Sequence, residues 1–222
     1  MKARTLKLYD STLGKKAVMA ISGLALIGFV FGHMADNLLI FKGPEAMNDY
    51  AKTLRELLGG AGIWIARVGL LAAVAAHVWS AIALSGRNKA ARPVQYKRLA
   101  KKRSTVASRT MLFGGITMLL YIVYHIAHLT FGQTVPGEFD QNNVYMNVVR
   151  SFSVPWIVVV YLTAQVFLAL HLYHGAWSFM QTLGLSHPRF NHLRKRAAAG
   201  LAAVVCVGFS AVPIAVITKV VT

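Results

Sequence analysis

The chain has 222 residues, 56% of them apolar and 14% charged, with a formal net charge of +17 and a mean hydropathy of +0.52. A soluble domain of this length carries about a quarter charged residues, so the composition excludes an ordinary water-soluble globular protein. Cys206 is the only cysteine, which excludes an intrachain disulfide, a thiolate-held iron–sulfur cluster and a C-x-x-C-H haem attachment.

Five apolar segments follow in chain order, at about residues 17–41, 61–85, 110–131, 153–179 and 197–218. Each reaches the ~20 residues that, at ~1.5 Å rise, cross a ~30 Å hydrocarbon core. Helices are the default, because an open strand leaves backbone groups unpaired in lipid. The expected fold is an all-α integral membrane protein, one domain over residues 1–222 with five transmembrane helices. The first segment is too long for a signal-peptide h-region and holds His33 and Asp36, so it is expected to be retained. Cys206 falls in the fifth, where packing is its expected role. The connections are short, so any large catalytic domain is expected on another chain.

The basic residues are unevenly distributed. Five Lys or Arg precede residue 17, nine fall between Arg87 and Arg109, and four between Arg189 and Arg196. The remaining connections and the C-terminal tail hold five, near the acidic Glu45, Asp49, Glu56, Glu138 and Asp140. The positive-inside rule then places the N-terminus in the cytoplasm and the C-terminus outside. Solvated anchoring charge explains most of the excess. The same face would attract anionic lipid or an acidic subunit rather than nucleic acid.

With that topology the apolar segments act as a ruler. His33 lies 16 residues into the first segment and His125 15 residues into the third, both roughly 22–24 Å from the cytoplasmic boundary. His77 and His171 each lie 8 residues before the cytoplasmic ends of the second and fourth, about 12 Å from the same boundary. Four histidines on four helices in two matched layers suit two bis-histidine haems, with the first four helices forming the haem-binding bundle. With both axial positions filled, the chemistry is electron transfer. A lone membrane histidine more commonly hydrogen-bonds a neighbour or lines a proton path; four matched in depth weaken that reading. Zinc or copper sites usually add Cys, Asp or Glu, which these mid-helix regions lack.

His128 and His174 follow His125 and His171 by three residues, on the same helix face. They are read as donors to a haem propionate or a quinone. Depth favours His171 over His174 weakly and does not separate His125 from His128. Arg67 sits near the outer layer, where it would pair with a propionate or snorkel to the interface. Gly28 and Gly32, flanking His33, and Gly114–Gly115 would admit a flat macrocycle or close helix packing.

The chain resembles the cytochrome b membrane anchor of succinate:quinone oxidoreductase, of the single-subunit, five-helix, two-haem type shared by some succinate dehydrogenases and fumarate reductases. The resemblance covers nearly the whole chain. It is carried by GHMADNLLIF at 32–41, GPEAMNDYA at 43–51, RNKAARPVQYK at 87–97, SRTM at 108–111 and HLYHGAWSFMQTLGLSHPRFN at 171–191. It implies His33 and His125 as iron ligands of a distal haem b, and His77 and His171 of a proximal haem b, the first histidine of each doublet matching the ligand position.

The resemblance further implies an iron–sulfur subunit and a flavoprotein with covalent FAD, docked on the cytoplasmic face of a prokaryotic inner membrane. The dicarboxylate active site then lies on the flavoprotein, the electron acceptor is a quinone (menaquinone is expected), and the complex can assemble into a higher oligomer. Some fumarate reductases of the family carry a glutamate two positions before the fourth-helix haem histidine. Here that position is Ala169, which tilts the expectation towards succinate oxidation.

Quinone-site candidates are Asp36, Asn37, Glu45 and His128 near the outer layer, and Ser22, Trp177 and His174 near the inner. A two-haem cytochrome b of a hydrogenase or formate dehydrogenase would share the histidine layout but not the HGAWSFMQTLG and RNKAARPVQYK runs. A histidine-relay transporter would show midplane carboxylates and inverted repeats, which segments two to five lack.

Overall fold

The computed structural model describes residues 11–91 and 106–222, with side chains from 110 onward in the second stretch. Lys2, Arg4 and Lys7 and most of the basic connection between 92 and 103 lie outside the described residues, as does the second half of the RNKAARPVQYK run. The described residues form seven α-helices: α1 Thr12–Asn37, α2 Pro44–Glu56, α3 Ala61–Ala90, α4 Val106–His125, α5 Val144–Phe152, α6 Pro155–Thr182 and α7 Asn191–Ile217. Five of them, α1, α3, α4, α6 and α7, are long and apolar enough to cross a membrane. The protein is a multi-pass, all-α integral membrane protein.

The spanning helices outrun the apolar segments at several ends. α1 begins at Thr12 rather than near 17, because Ser11 caps it: its hydroxyl accepts the Gly14 N–H at 2.8 Å. The first turns therefore carry Lys15, whose ammonium stands 4.6 Å from the centre of the Trp79 ring. α7 likewise begins at Asn191 rather than near 197. Arg194 ties that end down, donating to the Leu185 carbonyl at 3.0 Å and to Ser186 Oγ at 3.1 Å. Hydropathy marks where lipid begins, whereas capping and propensity decide where a helix begins.

Two short helices stand where connections were expected. Gly43, at φ +97°, turns the chain out of α1, and Pro44 opens α2 at a position where a missing N–H costs nothing. Leu58, Gly59 and Gly60, all at positive φ, reverse the chain into α3. α5 starts on Asn143, whose Oδ1 accepts the Met146 N–H at 3.1 Å and a hydrogen bond from Asn48 of α2 at 3.2 Å. Asn48 Oδ1 accepts the Tyr145 N–H at 3.1 Å, and Arg55 donates to the Gln141 carbonyl. The two helices so joined lie at one end of the bundle, here the far end; the near end carries Ser11 and the start of α7. Asn143→Ala removes a cap and a tie together, and should destabilise the far end by roughly 1–2 kcal/mol. Hydrogen exchange of residues 143–152 in detergent reads that loss directly.

Within the bundle α1 packs on α3, α6 and α7, and α6 packs on α4 and α7. Small residues set the closest approaches, as expected where lipid is as apolar as the side chains. Ala198, Ala202 and Val205 of α7 are buried with Leu172 and Ala176 of α6, and Met34 of α1 lies over Gly208. The far end holds a larger core of Ile40, Met47, Val148, Phe152, Ile157 and Val212. Large apolar residues such as Trp64, Leu71, Phe113, Leu120 and Val207 face outward, the inverse of a soluble surface and the pattern lipid requires.

Candidate functional site

Two pairs of histidines meet inside the bundle. His33 of α1 and His125 of α4 stand with ring centres 5.9 Å apart and planes at 74°. His77 of α3 and His171 of α6 stand 6.0 Å apart with planes at 59°. Neither α1 with α4 nor α3 with α6 is a close-packed helix pair among the described residues, so each gap is bridged by imidazoles rather than by backbone contact. Two imidazoles holding one metal from opposite sides, with metal–nitrogen bonds of about 2 Å, place their ring centres about 6 Å apart. Both pairs fit that spacing.

Three of the four rings are oriented by neighbours, and His171 is the exception. His77 Nδ1 lies 3.2 Å from the Met19 carbonyl and 3.4 Å from Ser22 Oγ. A carbonyl only accepts, so the proton of His77 sits on Nδ1 and its Nε2 lone pair is free. α1 comes this close because position 23 is glycine: a Cβ there would stand 3.2 Å from His77 Cε1. The Ser22 hydroxyl itself donates to the Val18 carbonyl at 2.7 Å. His171 Nδ1 is buried with no partner among the described residues, and Gly115 leaves its ring room, a Cβ there being 4.0 Å from Cε1.

In the outer pair, His33 stacks on Phe29 with ring centres 5.3 Å apart and lies 5.8 Å from the Phe209 ring of α7. Asn37 donates to the His33 carbonyl at 2.7 Å, with its nitrogen 3.4 Å from His33 Nε2. His125 is stacked on Tyr121 at 5.7 Å, and its Nδ1 is 3.2 Å from the Tyr161 hydroxyl. The stacking and the hydroxyl together hold the direction of the His125 ring.

The remaining candidates are spread more widely. His128 is 0% exposed; its Nδ1 is 2.9 Å from the Tyr161 hydroxyl, and its Nε2 has no partner among the described residues. His174 meets Trp177 edge-on at 6.2 Å, and Lys195 stands 5.4 Å from the centre of the Trp177 ring. The indole N–H of Trp177 is buried and unpartnered among the described residues. Asp36 lies near Tyr50 of α2. Glu45 lies exposed in the first turn of α2. Arg67 is exposed on α3 with its guanidinium 5.0 Å from the centre of the Trp64 ring. A Cβ at Gly28 or Gly32 would meet nothing within 4 Å. Among the described residues no three of His, Cys, Asp and Glu gather where they could hold a metal ion; the histidines come in twos.

Tyr161 is the residue that the sequence reading passed over. It lies ten residues before His171 on α6, roughly 15 Å nearer the far end. The depth ruler applied to the histidines would have put it in the outer layer. The Met19 carbonyl carried no such signal, because a backbone atom is the same at every position.

No protein-family model, curated protein or solved structure matches the chain.

Proposed function

We propose that this chain is the cytochrome b membrane anchor of a succinate:quinone oxidoreductase, passing electrons from an iron–sulfur subunit to a quinone, with menaquinone the expected acceptor. One observation carries the reading: His33 faces His125 and His77 faces His171 at the separation that two axial ligands require. Its support is that the first four spanning helices each contribute one ring, in an apolar interior. His33 with His125, and His77 with His171, would hold haem b, which would supply a one-electron couple.

The chain's own residues do the rest. The Met19 carbonyl and Ser22 aim His77, and Phe29, Asn37 and Phe209 fix His33 in its stack. All four rings are half-buried within the bundle. On this reading the near end faces the cytoplasm of a prokaryotic cell. Its exposed basic residues, among them Lys16, Arg87, Arg189 and Arg196, then offer the surface on which the iron–sulfur subunit and the FAD-bearing flavoprotein dock. The chain contributes no dicarboxylate site of its own.

A pyridine haemochrome assay on the purified protein tests the haem content. Two b haems per chain are expected, and a porphyrin-free preparation from haem-replete cells would overturn the reading. The finer identity is tested in membranes from cells lacking this chain. Succinate-dependent quinone reduction should be lost; loss of formate- or hydrogen-dependent reduction instead would assign the chain to the other cytochrome b class.

A further inference from the structure

The outer pair has a connection that the inner pair lacks. One hydroxyl, that of Tyr161, lies 3.2 Å from His125 Nδ1 and 2.9 Å from His128 Nδ1. Both rings reach it from one helix face, His125 at the end of α4 and His128 in the π turn at Ile126–Thr130 that continues it. The hydroxyl is firmly placed. Tyr161 is buried, with the Phe152 ring at 4.8 Å and the Tyr121 ring at 5.3 Å, both edge-on.

The direction of the chain follows from counting protons. A neutral imidazole has one N–H and one lone pair. For His125 to offer Nε2 to a metal, its proton must sit on Nδ1, which then donates to the Tyr161 oxygen. The Tyr161 O–H is left to donate to His128 Nδ1. His128 must therefore carry its own proton on Nε2, the atom that is buried and unpartnered among the described residues. A buried N–H without an acceptor is unfavourable, so the arrangement is complete only when an acceptor is present.

Resting on the haem reading above, we propose that Tyr161 is a positioning residue that directs this chain. It holds His125 in the tautomer that frees Nε2, and leaves His128 Nε2–H as a donor to an oxygen acceptor of a bound ligand. That oxygen belongs to a haem propionate or to a quinone carbonyl. All three side chains stay neutral throughout.

Tyr161→Phe keeps the ring packing and removes the bridge. In the purified protein both haems should remain, and the outer haem's midpoint potential should move to a more positive value. A ligand whose N–H has lost its acceptor is a weaker donor and favours the oxidised iron less. The low-spin ferric resonance of the outer haem should shift with it, while the inner haem, far from Tyr161, stays unchanged. An outer haem with unaltered potential and resonance would overturn the proposal and leave the two-haem reading standing. A wild-type protein without haem would remove both.

His128→Gln tests the same chain from its other end, with His125 and Tyr161 in place. Weakened binding of a naphthoquinone analogue, with the outer potential unmoved, identifies the acceptor as a quinone carbonyl. A moved potential with unchanged analogue binding identifies a propionate. An unchanged outer potential together with unchanged analogue binding would overturn the donor role.

Discussion

Replacing His171 by alanine is expected to lower the haem content from two to about one per chain, with the inner haem lost. His171 and His77 face each other across the gap between α6 and α3, and one axial ligand alone cannot hold a low-spin bis-histidine iron. The helix itself should persist, because alanine is the strongest helix former and the neighbours Leu172 and Ala176 remain buried against α7. The reduced spectrum, recorded beside a haemochrome assay, measures the change, and added imidazole should restore part of the lost absorbance. His77→Ala should give the same spectrum, whereas His33→Ala and His125→Ala should remove the other component. If His174→Ala loses the inner haem and His171→Ala keeps it, the assignment within that doublet is overturned.

The second large effect is expected at a residue with no chemistry of its own. A Cβ at Gly23 would stand 3.2 Å from His77 Cε1 and 3.4 Å from Nδ1, and valine adds two methyl groups beyond it. His77 would have to leave the Met19 carbonyl and Ser22, losing the contacts that aim its Nε2. Removing such an outer partner weakens metal binding roughly 10–100-fold, so Gly23→Val should be largely depleted of the inner haem and retain the outer one. Valine has a better helix propensity than glycine, so α1 is not the element that fails. Gly69→Val is the matched control: a Cβ there meets nothing within 4 Å, and both haems should remain. Equal haem content in the two variants would show that the close approach of α1 to His77 is dispensable.

Much of this architecture was legible in the chain. The five spans could be read because the bilayer imposes a length and an apolar composition that few other structures need. Their ends were less legible. Ser11 and Asn191 start helices inside basic, polar sequence, where hydropathy is silent. The helices at Pro44–Glu56 and Val144–Phe152 escaped for the same reason. Both are too short to cross a bilayer, and they bury one face against the far end.

What the sequence by itself determined is the number of spans and the depth of each histidine, since both follow from counting residues along helices of known rise. Depth also singled out which histidines lie level. Whether level rings meet depends on which way each helix is turned and which helices are neighbours, and counting along one helix contains neither. Only the tertiary structure set His33 against His125 and His77 against His171. It alone put the Met19 carbonyl behind His77 and one hydroxyl of Tyr161 between His125 and His128. Those contacts are made between residues 33 to 94 positions apart, and packing of small residues between helices, not local pattern, brings them within reach.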